Sequence, residues 1–195
     1  MKIFASKRSD APLEARYATA ADFCRVFEQE MDRLYLLSLL LTGDHDLAEK
    51  CFVGGLELSK SSNAVFRDWA RSWARRMVVQ NAIQAIRPRS NDFMSPDRVV
   101  DGDISQPAEI TAIRELPAFD RFAYVLSVLE GYPLRECALL LNCTPGEVNT
   151  ARMRALQAIV NSVERRAGVK NIGTGTEALR ENARFNDLSQ LAATA

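Results

Sequence analysis

The chain has 195 residues, 47% hydrophobic and 26% charged, and its 25 Lys and Arg are balanced by 25 Asp and Glu. Such a composition suits one large or two small packed domains and excludes a chain disordered throughout. A net charge of zero gives no global basic surplus, so any contact with nucleic acid must come from local patches.

Abundant Leu and Ala, 9 Gly and 7 Pro, and no alternating apolar pattern predict an all-α fold. Cys24, Cys51, Cys137 and Cys143 lack paired metal spacing, and the first three fall on apolar faces. They read as free thiols in a reducing cytoplasm, with no disulfide framework and no metal site. The basic N-terminus is followed by no apolar signal core, and Leu34–Leu41 is too short to span a bilayer, so no membrane insertion is expected.

In chain order, residues 1–18 read as a mobile, mildly basic arm. Thr19 followed by Asp22 marks a helix start. Phe23, Val26, Phe27, Met31, Leu34, Leu37 and Leu41 hold helical period up to Thr42-Gly43, a natural left-handed stop. Asp44 and Asp46 open a second helix carrying Leu47, Cys51, Phe52 and Leu56, in which Gly54-Gly55 is a weak point worth about 1 kcal/mol per Gly. A third helix spans about 64–86, with Phe66, Trp69, Trp73, Met77 and Ile83 on its apolar side. Between 64 and 89 six Arg face one Asp, a local balance of 6 − 1 = +5 in a neutral chain. Aromatics beside Arg67, Arg71, Arg75 and Arg76 suit stacking on unpaired bases, although Trp69 and Trp73, four apart, place at least one ring in the core. Residues 19–89 thus form a first helical domain, and 90–106, with Pro96 and several Asp, a linker.

A second domain, 107–167, begins with short helices after Pro107 and Pro117. Pro133–Leu141 and Pro145–Val160 are two apolar-periodic segments joined by Asn142-Cys143-Thr144. Thr144 is a good N-cap, Pro145 fits the first helical position and Glu147 completes a capping box. Val148, Met153 or Ala151, Leu156 and Ile159 continue the buried stripe. Two helices so joined form a helix-turn-helix. Its candidate DNA contacts are Thr144, Glu147, Asn149, Thr150, Arg152 and Arg154, the arginines for phosphate and Asn149 and Thr150 for base edges. The tail, 168–195, carries a short final helix capped by Thr174 and Glu177. Asp44-His45-Asp46 is a polar helix start rather than an acid–base cluster. No phosphate loop, nucleophile elbow or carboxylate pair is present, so no enzyme, catalytic residue, cofactor or small-molecule substrate is expected.

Leu116-Pro117, Arg121, Leu126, Glu130-Gly131, Glu136, Ala138 and Pro145-Gly146-Glu147-Val148 resemble region 4 of bacterial sigma factors, above all the extracytoplasmic-function group. Gly43-Asp44, Ala48-Glu49, Phe66-x-x-Trp69 and Ala74-Arg75 resemble region 2 of the same family, so the two resemblances cover roughly residues 19–88 and 108–166 in the family's order. The resemblance implies RNA polymerase core and promoter DNA as partners, with an anti-sigma factor as a further one. It puts Asp46, Glu49, Lys50, Val53 and Gly54 on the polymerase-binding surface, and Arg67, Trp69, Arg71, Trp73, Arg75 and Arg76 on the minus-ten element. The chain departs from the family where Lys50, Val53 and Gly54 replace Asp, Gln and Glu, and where Asn149, Ala151 and Leu156 replace basic residues. Two alternatives follow from those departures: a degenerate sigma-like regulator acting through protein contacts, or a polymerase-independent helix-turn-helix regulator.

Overall fold

A computed structural model describes residues 16–62, 64–90 and 107–166. Every regular element among them is helical, apart from one antiparallel bridge between Tyr17 and Phe66.

Helix α1, Ala20–Gln29, starts at a reciprocal cap: Asp22 N donates to Thr19 Oγ1 at 3.2 Å, and Thr19 N donates to Asp22 Oδ2 at 2.9 Å. These bonds, the Thr19 backbone N–H first, hold the Asp22 carboxyl below its ordinary value. The single long helix expected up to Thr42 is broken at Glu30 (φ −108°, ψ 17°), and α2 runs Met31–Thr42. Neither Gly nor Pro marks the break. It coincides with a carboxylate set among Arg33, Arg71 and Arg75 at 3.7–3.8 Å.

Gly43 ends α2 in the left-handed region (φ 74°), its N–H donating to Leu39 O. A side chain there would also meet Arg121 Nη1 at 2.9 Å, so conformation and space both require glycine. Asp44 caps α3, His45–Lys60, by accepting from Leu47 N. The Gly54-Gly55 pair is not the weak point that helix propensity suggests. A Cβ on Gly55 would lie 3.1 Å from the Val78 backbone and one on Gly54 2.3 Å from Asn81 Nδ2, so the pair lets α3 lie close against α4, Ala70–Ile86. Helix α4 begins later than residue 64 because Phe66 is extended (ψ 138°), stacks on Tyr17 at 5.1 Å and leads into a 3-10 turn, Arg67–Trp69.

Pro107, Pro117 and Pro133 immediately precede α5 (Ala108–Arg114), α6 (Ala118–Tyr124) and α7 (Leu134–Leu141), where the missing N–H costs little. Between α6 and α7 the backbone widens into a π-helical turn, Val125–Leu129, in which Glu130 N reaches back to Val125 O. Helix α8 spans residues 145–166. The linker beyond Ser90, the arm before Arg16 and the tail with its Thr174–Glu177 cap lie outside the described residues.

One apolar core runs from Phe27, Leu34, Leu41 and Val78 through to Phe122, Leu126 and Val148. Buried Arg121 joins the two groups of helices. Its Nε donates to Leu41 O (3.1 Å), Nη2 to Thr42 O (3.0 Å), and Nη1 to Arg114 O and Leu116 O (3.1 and 2.9 Å). Arg114 Nε adds a bond to Gly43 O. The last carbonyls of a helix have no partner within it and carry its negative dipole end, so a guanidinium from α6 both satisfies and neutralises the end of α2.

Candidate nucleic-acid interface

Helix α7 stops at Asn142, in the left-handed region (φ 50°). The turn then delivers the expected capping box: Thr144 N donates to Glu147 Oε2 at 2.8 Å, and Glu147 N donates to Thr144 Oγ1 at 3.2 Å. The Thr144 N–H, then its hydroxyl and the Ser90 side chain, keep the Glu147 carboxyl below the usual range. Glu147 therefore caps the start of its own helix.

Val148, Ala151 and Ala155 are fully buried, so the inward stripe runs through Ala151, and Met153 faces out, 56% exposed. Gly146, Asn149, Thr150, Met153 and Gln157 form the outward stripe. It offers amide and hydroxyl groups but no charge.

The arginines of α8 have partners within the fold. Arg154 clasps Asp120 of α6 with two bonds, Nε–Oδ2 at 3.0 Å and Nη2–Oδ1 at 2.6 Å, so it pins α8 to α6. Arg152 Nη2 donates to Asn149 Oδ1 at 2.7 Å, and its Nε is buried without an acceptor. Arg166 pairs with Glu115.

On the N-terminal half, Trp69 is 64% and Phe66 44% exposed, with edge-on rings 5.6 Å apart. They border an apolar cleft of about 540 Å³ whose floor includes Leu58, Val65 and Met77. Trp73 does not join the exposed aromatics: its Nε1 donates to Ser62 Oγ at 2.8 Å and its ring packs on the core. Each guanidinium of the basic helix meets a carboxylate. Arg67 faces Asp22 at 3.2 Å, Arg71 faces Glu30 at 3.7 Å, Arg75 lies between Glu30 and Glu130, and Arg76 binds Glu136 at 2.9 Å. Four of the six arginines behind the local +5 are thus paired, by Asp22 of α1, Glu30 at the break before α2, and Glu130 and Glu136 of the C-terminal half, which residue counting along one helix does not reveal.

Of the five residues placed on a polymerase-binding surface, Asp46, Glu49, Lys50 and Val53 are exposed. Gly54 is not open: it faces the Asn81 side chain. His45 Nδ1 lies 3.1 Å from Tyr35 OH. Burial pushes the Cys137 thiol up to about 11. Among the described residues no group of His, Cys, Asp and Glu is arranged to hold a metal, and no helix is long and apolar enough to cross a membrane.

Residues 109–159 match the family model described as sigma-70, region 4. Over this stretch, about a quarter of the chain, the sequence is similar to a sigma-70 region 4. Region 4 is a DNA-binding helix-turn-helix of transcription, and α7, the Asn142–Thr144 turn and α8 supply it here. Comparison with curated proteins finds no match for the chain. Sequence reasoning missed that Asp120, Glu130 and Glu136 pair with arginines of α8 and α4. Glu130 and Glu136 carried the family resemblance, but nothing marked them as arginine partners, because each pair is at least 34 positions apart.

Proposed function

We propose that the chain is a transcription initiation factor of the sigma type, akin to the extracytoplasmic-function group, working in the cytoplasm with RNA polymerase core and promoter DNA. The observation that carries this reading is a matched region 4 whose recognition helix exposes Asn149 and Thr150 within its first turns. In that role α8 enters the major groove of a minus-thirty-five-type sequence, where an amide and a hydroxyl read base edges. The N-terminal helices act as a substituted region 2. Phe66 and Trp69 stack on bases unpaired at a minus-ten-type element, with Arg67, Arg71, Arg75 and Arg76 beside them. Asp46, Glu49, Lys50 and Val53 meet the polymerase. Gel filtration with purified core enzyme tests this: the full chain co-elutes with core, and its elution unchanged by core refutes the reading.

A second reading, action through protein contacts such as an anti-sigma partner, is favoured by one feature. The outward surface of the helix-turn-helix carries apolar Leu139, 83% exposed, and Met153, without a Lys or Arg on the outward stripe of α8. On that reading the chain binds another regulator and selects no DNA sequence, with or without core.

A further inference from the structure

Two of the arginines assigned to nucleic acid in the N-terminal half, Arg75 and Arg76, are held by carboxylates of the C-terminal half. Arg76 Nη1 sits 2.9 Å from Glu136 Oε1 in the first turn of α7, and Arg75 Nη1 sits 3.7 Å from Glu130 Oε2 just after the π-helical turn. Both pairs stay partly open to solvent, at 39% and 37% for Arg76 and Glu136 and 38% and 18% for Arg75 and Glu130. Arg75 also faces Glu30 at 3.8 Å. A carboxylate and a phosphate present the same oxygens to a guanidinium. Exposed pairs of this kind are weak enough to exchange partners.

We propose that Glu130 and Glu136 stand in for phosphate on the α4 arginines, so that region 4 competes within the molecule with nucleic acid for the basic face of the N-terminal half. The inference rests on the proposed role of that face in holding unpaired DNA. Binding of a strand at Arg75 and Arg76 then requires the two pairs to part. The apolar core and the Arg121 bonds hold the halves together independently of these pairs, so the pairs can break without unfolding the chain.

The test uses the full chain and a fluorescein-labelled single-stranded DNA 20-mer, followed by anisotropy at low salt. The double variant Glu130→Gln, Glu136→Gln should bind about fivefold more tightly than wild type, the size expected from releasing two exposed ion pairs. Because the variant also gains two units of positive charge, Glu109→Gln, Glu164→Gln on exposed carboxylates elsewhere is the matched control and should gain less. Adding Arg75→Gln, Arg76→Gln should abolish the difference between the two. If the Glu130/Glu136 variant gains no more than the control while Arg75→Gln, Arg76→Gln still weakens binding, the competition is overturned and the basic face stands. If the arginine variant binds as wild type does, the nucleic-acid role of the face and the inference both fall.

Discussion

Arg154 of the recognition helix and Asp120 of α6 form a two-pronged ion pair, Nε–Oδ2 3.0 Å and Nη2–Oδ1 2.6 Å, with Asp120 only 10% exposed. The pair raises the Arg154 pKa further, the Asp120 hydrogen bond foremost. A residue that by type and position suits phosphate contact is thus held in a bond between α8 and α6.

Arg154→Ala should therefore act on stability more than on DNA affinity. It leaves a nearly buried carboxylate without its partner, at a cost of about 1–2 kcal/mol, the lower part of the range because the guanidinium is partly solvated. Chemical denaturation should show the loss, while the salt dependence of DNA binding keeps its slope. A fall of about 0.9 in that slope with unchanged stability would return Arg154 to the phosphate backbone.

The α3–α4 contact makes a second prediction. Gly55→Ala improves helix propensity by about 1 kcal/mol, yet its Cβ meets Val78 backbone at 3.1 Å, so a net destabilisation of about 1–2 kcal/mol is expected. Gly54→Ala meets only the Asn81 side chain, and Asn81→Ala should relieve it. A double-mutant cycle on positions 54 and 81 reads this directly. Additive effects would show that the two residues do not touch.

The capping carboxylates set a pH dependence. Asp22 and Glu147 lie below their ordinary values of 3.8 and 4.5 in the folded chain, so the unfolded chain binds more protons as the medium is acidified. Their contribution is present in full above pH 4.5 and is lost as pH falls through the lowered native values. Glu147→Ala should accordingly be less stable than wild type at pH 7, and the gap should shrink below pH 4.5, followed by urea midpoints across the series. A gap constant from pH 7 down to pH 3 would mean that the ionised carboxylate contributes nothing.

Where local chemistry dictates geometry, the sequence was sufficient. Thr144-Pro145-Gly146-Glu147 and Thr19 with Asp22 are reciprocal caps that span one helical turn, and Gly43 is a left-handed stop; each forms as its residue types require. What stayed hidden depends on long-range partners. The +5 over residues 64–89 looks like a free basic face in sequence because Glu30, Glu130 and Glu136 come from distant parts of the chain. Likewise Gly54-Gly55 carried only a propensity cost until α4 was laid against it. The Glu30 break has no Pro or Gly to announce it. Arg121 carried a family resemblance but no sign that its four hydrogen bonds would reach both halves.

Transcription with core enzyme and the full chain on templates with randomised upstream sequence, start sites being read by sequencing, tests the proposal that this chain directs polymerase to DNA through residues 109–159. Starts should be confined to templates sharing an upstream and a downstream motif, with Asn149→Ala shifting preference in the upstream motif alone. Start sites distributed as they are with core enzyme by itself would contradict it.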